Sequence, residues 1–115
     1  FTTLDKFCDQ SGVESIDFLK IDTEGHELAV LQGAGRLLES RAVPVLQFEF
    51  NEMNVISRVF LKDFYESLHE YTFFRISRTG LVPLGEYRSR NEIFQIQNIL
   101  AVGTWVHIPR ECIAS

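Results

Sequence analysis

The stretch Ile16–Ala34, IDFLKIDTEGHELAVLQGA, decides how the rest of the chain is read. Ile16, Phe18, Leu19 and Ile21 form an apolar run too short and too β-branched for a buried helix, which predicts a strand. Asp22, Glu24 and His26 follow within a few residues, with Gly25 between the last two. Leu28, Val30, Leu31 and Ala34 then recur at helical spacing, so the strand feeds a helix through a polar turn. In an open α/β sheet, ligands bind in the crevice beyond the carboxyl ends of the strands. Three titratable side chains at such a turn make it a candidate site.

Composition narrows the classes around that turn. With 115 residues, 45% of them apolar and ten of them phenylalanine, the chain is expected to fold as one domain with a sizeable core. A net charge of −5 argues against a nucleic-acid backbone as partner. Arg75, Arg78, Arg88 and Arg90 crowd one region, and a solvated rim is the expected role. No apolar run approaches the roughly 20 residues that span a bilayer. Cys8 and Cys112 have no metal-type spacing, Cys8 is expected to pack, and nothing implies an oxidising compartment, so a cytoplasmic location is expected. There is no secretory leader pattern. The sole methionine is Met53, and the chain is expected to begin inside a longer protein.

Moving outward, Thr3 is placed to cap a helix through Asp9 with Leu4, Phe7 and Cys8 facing inward, and Asp5 in its first turn complements its dipole. Gly33 and Gly35 are expected to break the next helix, and a short one, Arg36–Ser40, follows. Pro44 leads into a strand, Val45–Phe50, in which Leu46, Phe48 and Phe50 share one face and Val45, Gln47 and Glu49 the other. Polar residues on a central parallel strand break the usual pattern, and such breaks concentrate at functional sites. Glu49, with Asn51 and Glu52 just beyond, is therefore expected to border the same crevice as Asp22, an ion pair with Lys20 or an arginine being the alternative. Asn54 or Ser57 is expected to open a helix carrying Leu61, Phe64, Tyr65 and Leu68, with His69 a surface residue at its end. Tyr71–Ser77, the turn Arg78-Thr79-Gly80 and Leu81–Leu84 suggest a hairpin; residues 85–92 are a loop and Ile93–Val102 a last strand. Trp105–Ser115 carries little signal and is expected to fray or to start a further element. The order gives a parallel sheet with an antiparallel edge.

The run Lys20-Ile21-Asp22-Thr23-Glu24-Gly25-His26-Glu27-Leu28, then Val30-Leu31 and Gly33-Ala34, resembles the central signature of FkbM-type methyltransferases. Thr3-Leu4-Asp5, Phe48-Glu49-Phe50 and Asn98–Val102 extend the likeness over about positions 2 to 102. The resemblance implies a Rossmann-like class I methyltransferase fold of α/β type, with residues 1–115 a partial domain: its C-terminal half, strands four to seven, the last strand antiparallel. It implies S-adenosylmethionine as cofactor and, most often, O-methylation. The glycine-rich turn after the first strand and the acidic end of the second are absent, and on the family's pattern both lie upstream.

Methyl transfer to oxygen is an in-line displacement, in which positioning supplies on the order of 7–11 kcal/mol and a base at the hydroxyl about 10²–10⁴-fold. His26, whose ordinary pKa lies near neutrality, is the first candidate base and Glu24 the second. By its place in the resembling fold, Asp22 is expected to hold the amino group of S-adenosylmethionine, and Gly25 to let the backbone approach cofactor or substrate. Glu49 and Asn51 are expected on the substrate side. Glu24 and Glu27, taken alone, suit the start of a helix. No resident metal is expected, although Asp22, Glu49 and Asn51 are oxygen ligands of the kind Mg²⁺ prefers. The leading reading is a fragment of an enzyme acting on a hydroxyl of a sugar, polyketide or other small molecule. A non-catalytic α/β binding module is the alternative. A Mg²⁺-dependent phosphoryl transferase ranks last, for want of a glycine loop to cradle phosphate.

Overall fold

In the computed structural model, described for residues 2–23, 25–50, 54, 59–88 and 97–114, the backbone hydrogen bonds of five strands are gathered into one mixed sheet. The elements are α1 (Leu4–Ser11), β1 (Phe18–Ile21), α2 (Glu27–Gln32), α3 (Gly35–Glu39), β2 (Val45–Phe50), α4 (Leu61–Ser67), β3 (Tyr71–Ser77), β4 (Gly80–Pro83) and β5 (Gln97–Gly103), with a 3₁₀ turn at Arg110–Cys112. The sheet order is β1-β2-β5-β3-β4: β1 and β2 are parallel, while β5 runs antiparallel to both β2 and β3, and β4 returns from β3 as a hairpin.

Alternation decides which side of the sheet is covered. Leu46, Phe48 and Phe50 are fully buried, while Val45, Gln47 and Glu49 between them stay partly accessible. Phe48 stacks on Phe64 of α4 with centroids 4.3 Å apart and meets Phe73 edge-on, and Phe64 also meets Phe50 edge-on. The helices therefore sit on the face of Leu46, Phe48 and Phe50. The polar residues of β2 are tolerated because they lie on the opposite face, where Phe18 is 51% exposed and Lys20 and Asn98 are exposed too.

Local chemistry explains the helix ends. The Thr3 hydroxyl accepts the Lys6 N–H at 3.2 Å, capping α1. Asp5 does more than complement its own helix: its carboxylate accepts the N–H groups of Arg36 (2.9 Å) and Leu37 (3.1 Å), capping α3 and tying α1 to it. Arg36 and Asp9 form an ion pair beside this cap. Phe7, expected inward, is instead 54% exposed, whereas Cys8 is buried. A helix boundary at Gly33–Ala34 separates α2 from α3, as the two glycines suggest. Asn54, one of the two expected openings, is helical and buried, while the helix that carries Leu61 and Phe64, α4, opens at Leu61 with the Asp63 carboxylate accepting the Phe60 N–H at 2.8 Å. Ser57 lies outside the described residues, as do residues 93–96 of the expected last strand.

The tail does not fray. Ala114 N–H reaches the Leu81 carbonyl at 2.9 Å, and Ile113 bridges Leu81 in parallel. Gly80, at φ +133°, admits this contact: a Cβ there would lie 2.5 Å from the Cys112 carbonyl oxygen. Trp105 packs edge-on against Tyr71, under the Arg41 guanidinium. Tail docking depends on tertiary contacts that an irregular sequence does not announce.

Two stability outcomes follow from this packing. Phe48→Ala is expected to cost about 3–5 kcal/mol in denaturant unfolding, because it removes the ring common to α4 and β3. The buried Tyr71 phenol, bonded to the Val43 carbonyl, is pushed from 10.0 up to about 12 by burial, reinforced by Glu70. A raised folded-state pKa means stability is full below pH 10 and is lost as pH climbs through 12. Urea unfolding across that range should show the loss in the native chain and a weaker one in Tyr71→Phe, since Tyr65 is raised in the same sense by burial.

Candidate functional site

The candidate turn leaves the carboxyl end of β1. Ile21, 3% exposed, pairs with Phe48 of β2 and anchors the strand in the core. β1 and β2 are parallel and pair Ile21 with Phe48, so Asp22 and Glu49 are the residues that follow this last pair on the two strands. Asn98 of β5 pairs with Glu49 on its other side. The tip of the sheet thus carries a polar row where the rows below, on the helix face, are apolar.

Beyond Asp22 the chain reverses quickly. Thr23 is exposed, Gly25 is buried at φ +103°, and His26 occupies the N-cap position of α2 without capping it through its side chain. The turn is held from below by Glu27, 1% exposed. One carboxylate oxygen, Oε2, accepts the Thr23 N–H at 2.9 Å and the Thr23 hydroxyl at 2.8 Å; the Gly25 N–H reaches Oε1 at 3.2 Å and Oε2 at 3.3 Å. A first-turn acid that suits a helix dipole is thereby also the internal tie of the site. The sequence carried a faint signal: Thr-x-x-x-Glu is one residue longer than the reciprocal capping spacing.

The structure brings some expected residues together and separates others. Asp22 and Glu49 each follow the Ile21–Phe48 pair at the carboxyl ends of β1 and β2. His26, exposed, instead lines a groove of about 460 Å³ with Thr2, Thr3, Leu4, Ala29, Val30 and Gly33, walled by α1 and α2. That volume is within the range of small-molecule sites. Gly25 offers its Cα face but not its N–H, which Glu27 has taken. Glu24 and Asn51 lie outside the described residues. Among the described residues, no three His, Cys, Asp or Glu side chains form a group that could hold a metal ion. No described helix is long and apolar enough to cross a membrane. Of the arginines expected as a solvated rim, Arg75 is not free: its Nε donates to the buried Gln97 at 2.9 Å.

Against known proteins, the model of the methyltransferase FkbM domain matches residues 2–75. No curated protein and no solved structure matches the chain.

The backbone of the turn is open to a direct check. Gly25→Ala is expected to lower stability by about 1–3 kcal/mol, because a side chain is strained at φ +103°. Gly35→Ala, in a helix with nothing within 4 Å of the added carbon, is expected to gain up to about 1 kcal/mol. Chemical denaturation of the two variants reads the contrast.

Proposed function

Since the chain belongs to the FkbM methyltransferase domain family, we propose that it is the C-terminal half of a Rossmann-like methyltransferase domain that uses S-adenosylmethionine to methylate a hydroxyl of a sugar, polyketide or other small molecule. The observation that carries this reading is the turn at the carboxyl end of a parallel strand pair, where Asp22 and Glu49 follow the last paired residues, Ile21 and Phe48. Strand order supports it as well: β1, β2, β5 and β3 follow the arrangement of strands four, five, seven and six, with the seventh antiparallel. So does the sheet's edge. Among the described residues β1 pairs only with β2, and its face opposite the helices leaves Phe18 half exposed. Parallel strands are covered on both faces in finished folds, so this is where the first half of the domain would join.

Roles divide along the turn. The exposed Asp22 carboxylate fits the ammonium of the cofactor's methionine part, and the absence of a side chain at Gly25 keeps the approach clear. When bound, the cofactor supplies a methyl group on a sulfonium. Glu49 follows Phe48 on the neighbouring strand and is placed to orient the acceptor. His26 is the base at the acceptor hydroxyl, taking its proton as the oxygen attacks the methyl carbon. Its groove along α1 and α2 would then receive the part of the acceptor adjoining that hydroxyl.

In the full-length protein, His26→Ala is expected to lower turnover by about 10²–10⁴-fold while cofactor affinity, read by calorimetry, stays nearly unchanged. Unchanged turnover would remove His26 as base. Failure of the native protein to bind S-adenosylmethionine would remove the reading itself.

A further inference from the structure

Glu27 is the least exposed charged residue described, yet no lysine or arginine among the described residues pairs with it. A buried carboxylate without a cation is costly unless hydrogen bonds replace its water. Among the described residues they come from two, Thr23 and Gly25. The Thr23 N–H, the Thr23 hydroxyl and the Gly25 N–H converge on it within 2.8–3.3 Å. Each is charge-assisted, the stronger kind of hydrogen bond. An acid serving only the dipole of a short helix would sit in water.

The held residues bracket the site. Thr23 directly follows Asp22, and Gly25 directly precedes His26. Resting on the reading of this turn as the methyl-transfer site, we infer that Glu27 is its positioning residue: the buried carboxylate fixes Thr23 and Gly25 and so sets where Asp22 and His26 stand. It touches neither cofactor nor acceptor. Its oxygens are spent inside the turn, and no neutral side chain of the same shape reproduces the pattern, because Gln would direct an NH₂ group at N–H donors.

The test uses the full-length protein with Glu27→Gln, Thr23→Val and, as a control elsewhere, Asp5→Asn, which weakens a different carboxylate tie between α1 and α3. Melting temperature, S-adenosylmethionine affinity by calorimetry and amide hydrogen exchange at Thr23 and Gly25 are read for each. Glu27→Gln is expected to weaken cofactor binding at least tenfold and to speed exchange at both amides at least tenfold. Thr23→Val, which loses one of the ties at an exposed position, should give a smaller loss of a few-fold. Asp5→Asn should lower the melting temperature and leave affinity and those two amides unchanged. Affinity within twofold of native in a folded Glu27→Gln variant, or a loss matched by Asp5→Asn, overturns the inference. Should the native protein bind no S-adenosylmethionine, the functional reading falls alone, because exchange still decides: unchanged rates at Thr23 and Gly25 in Glu27→Gln overturn the role of Glu27, and faster rates sustain it. Should Glu27→Gln not fold, Thr23→Val decides by the same two readouts.

Discussion

A carboxylate removed from water has to recover its hydration from the protein, and in this fold Glu27 recovers it from the turn that follows β1. Desolvation of a single ion costs several kcal/mol in real proteins, and hydrogen bonds to a charged group return about 1.5–3 kcal/mol each. Three donors therefore come close to cancelling the cost. The net contribution to stability is small, but the contribution to geometry is large, because moving the Thr23 and Gly25 donors away would leave the charge unsatisfied. The polar turn is thus locked to α2, α2 packs through Leu31 into the core, and β1 is locked to the same core by Ile21.

The sheet beneath it is asymmetric, with one face apolar and the other polar. On the helix face, the row Ile21, Phe48 and Ile99 is almost fully buried, and Arg75, next across the sheet, is drawn to Gln97. On the other face, Lys20, Gln47, Glu49 and Asn98 stay accessible. Ile21, the last residue of β1, serves the core, and the exposed Asp22 follows directly where the strand ends. The position of the carboxylate is a consequence of where the aromatic core ends.

Much of this was legible because strand alternation and glycine punctuation are local. Val45–Phe50 and Tyr71–Ser77 were bounded correctly from alternation and turn chemistry, and the glycines at 33 and 35 marked the α2–α3 boundary. The rest failed where partners are distant in sequence. Asp5 caps a helix 31 residues away, so nothing near it in the chain announces the bond. Phe7 shares an apolar pattern with Leu4 and Cys8 but is exposed in the fold, since periodicity tells which residues share a face and not how much of it is covered. The tail from Trp105 lacks periodicity altogether, yet it docks through single contacts to Leu81 and Gly80. At the site, Asp22 and Gly25 were visible as types in a pattern. The hydrogen bonds of Glu27 to Thr23 and Gly25 were not, because an acid at a helix start reads the same whether it faces water or folds back.

The same tie also restricts what the turn can do. Backbone N–H groups at a strand-to-helix turn are the usual donors to an anionic ligand, but here those of Thr23 and Gly25 are committed to Glu27. An anion such as a phosphate would have to compete with a resident carboxylate for them, at like-charge cost. With those two donors committed, the proposed ligands are met by side chains instead: a cation facing Asp22 and Glu49, and a neutral hydroxyl facing His26. A sulfonium cofactor that also carries an ammonium group, together with an alcohol acceptor, matches that division of charge, whereas phosphoryl transfer would ask for the donors this fold has already used.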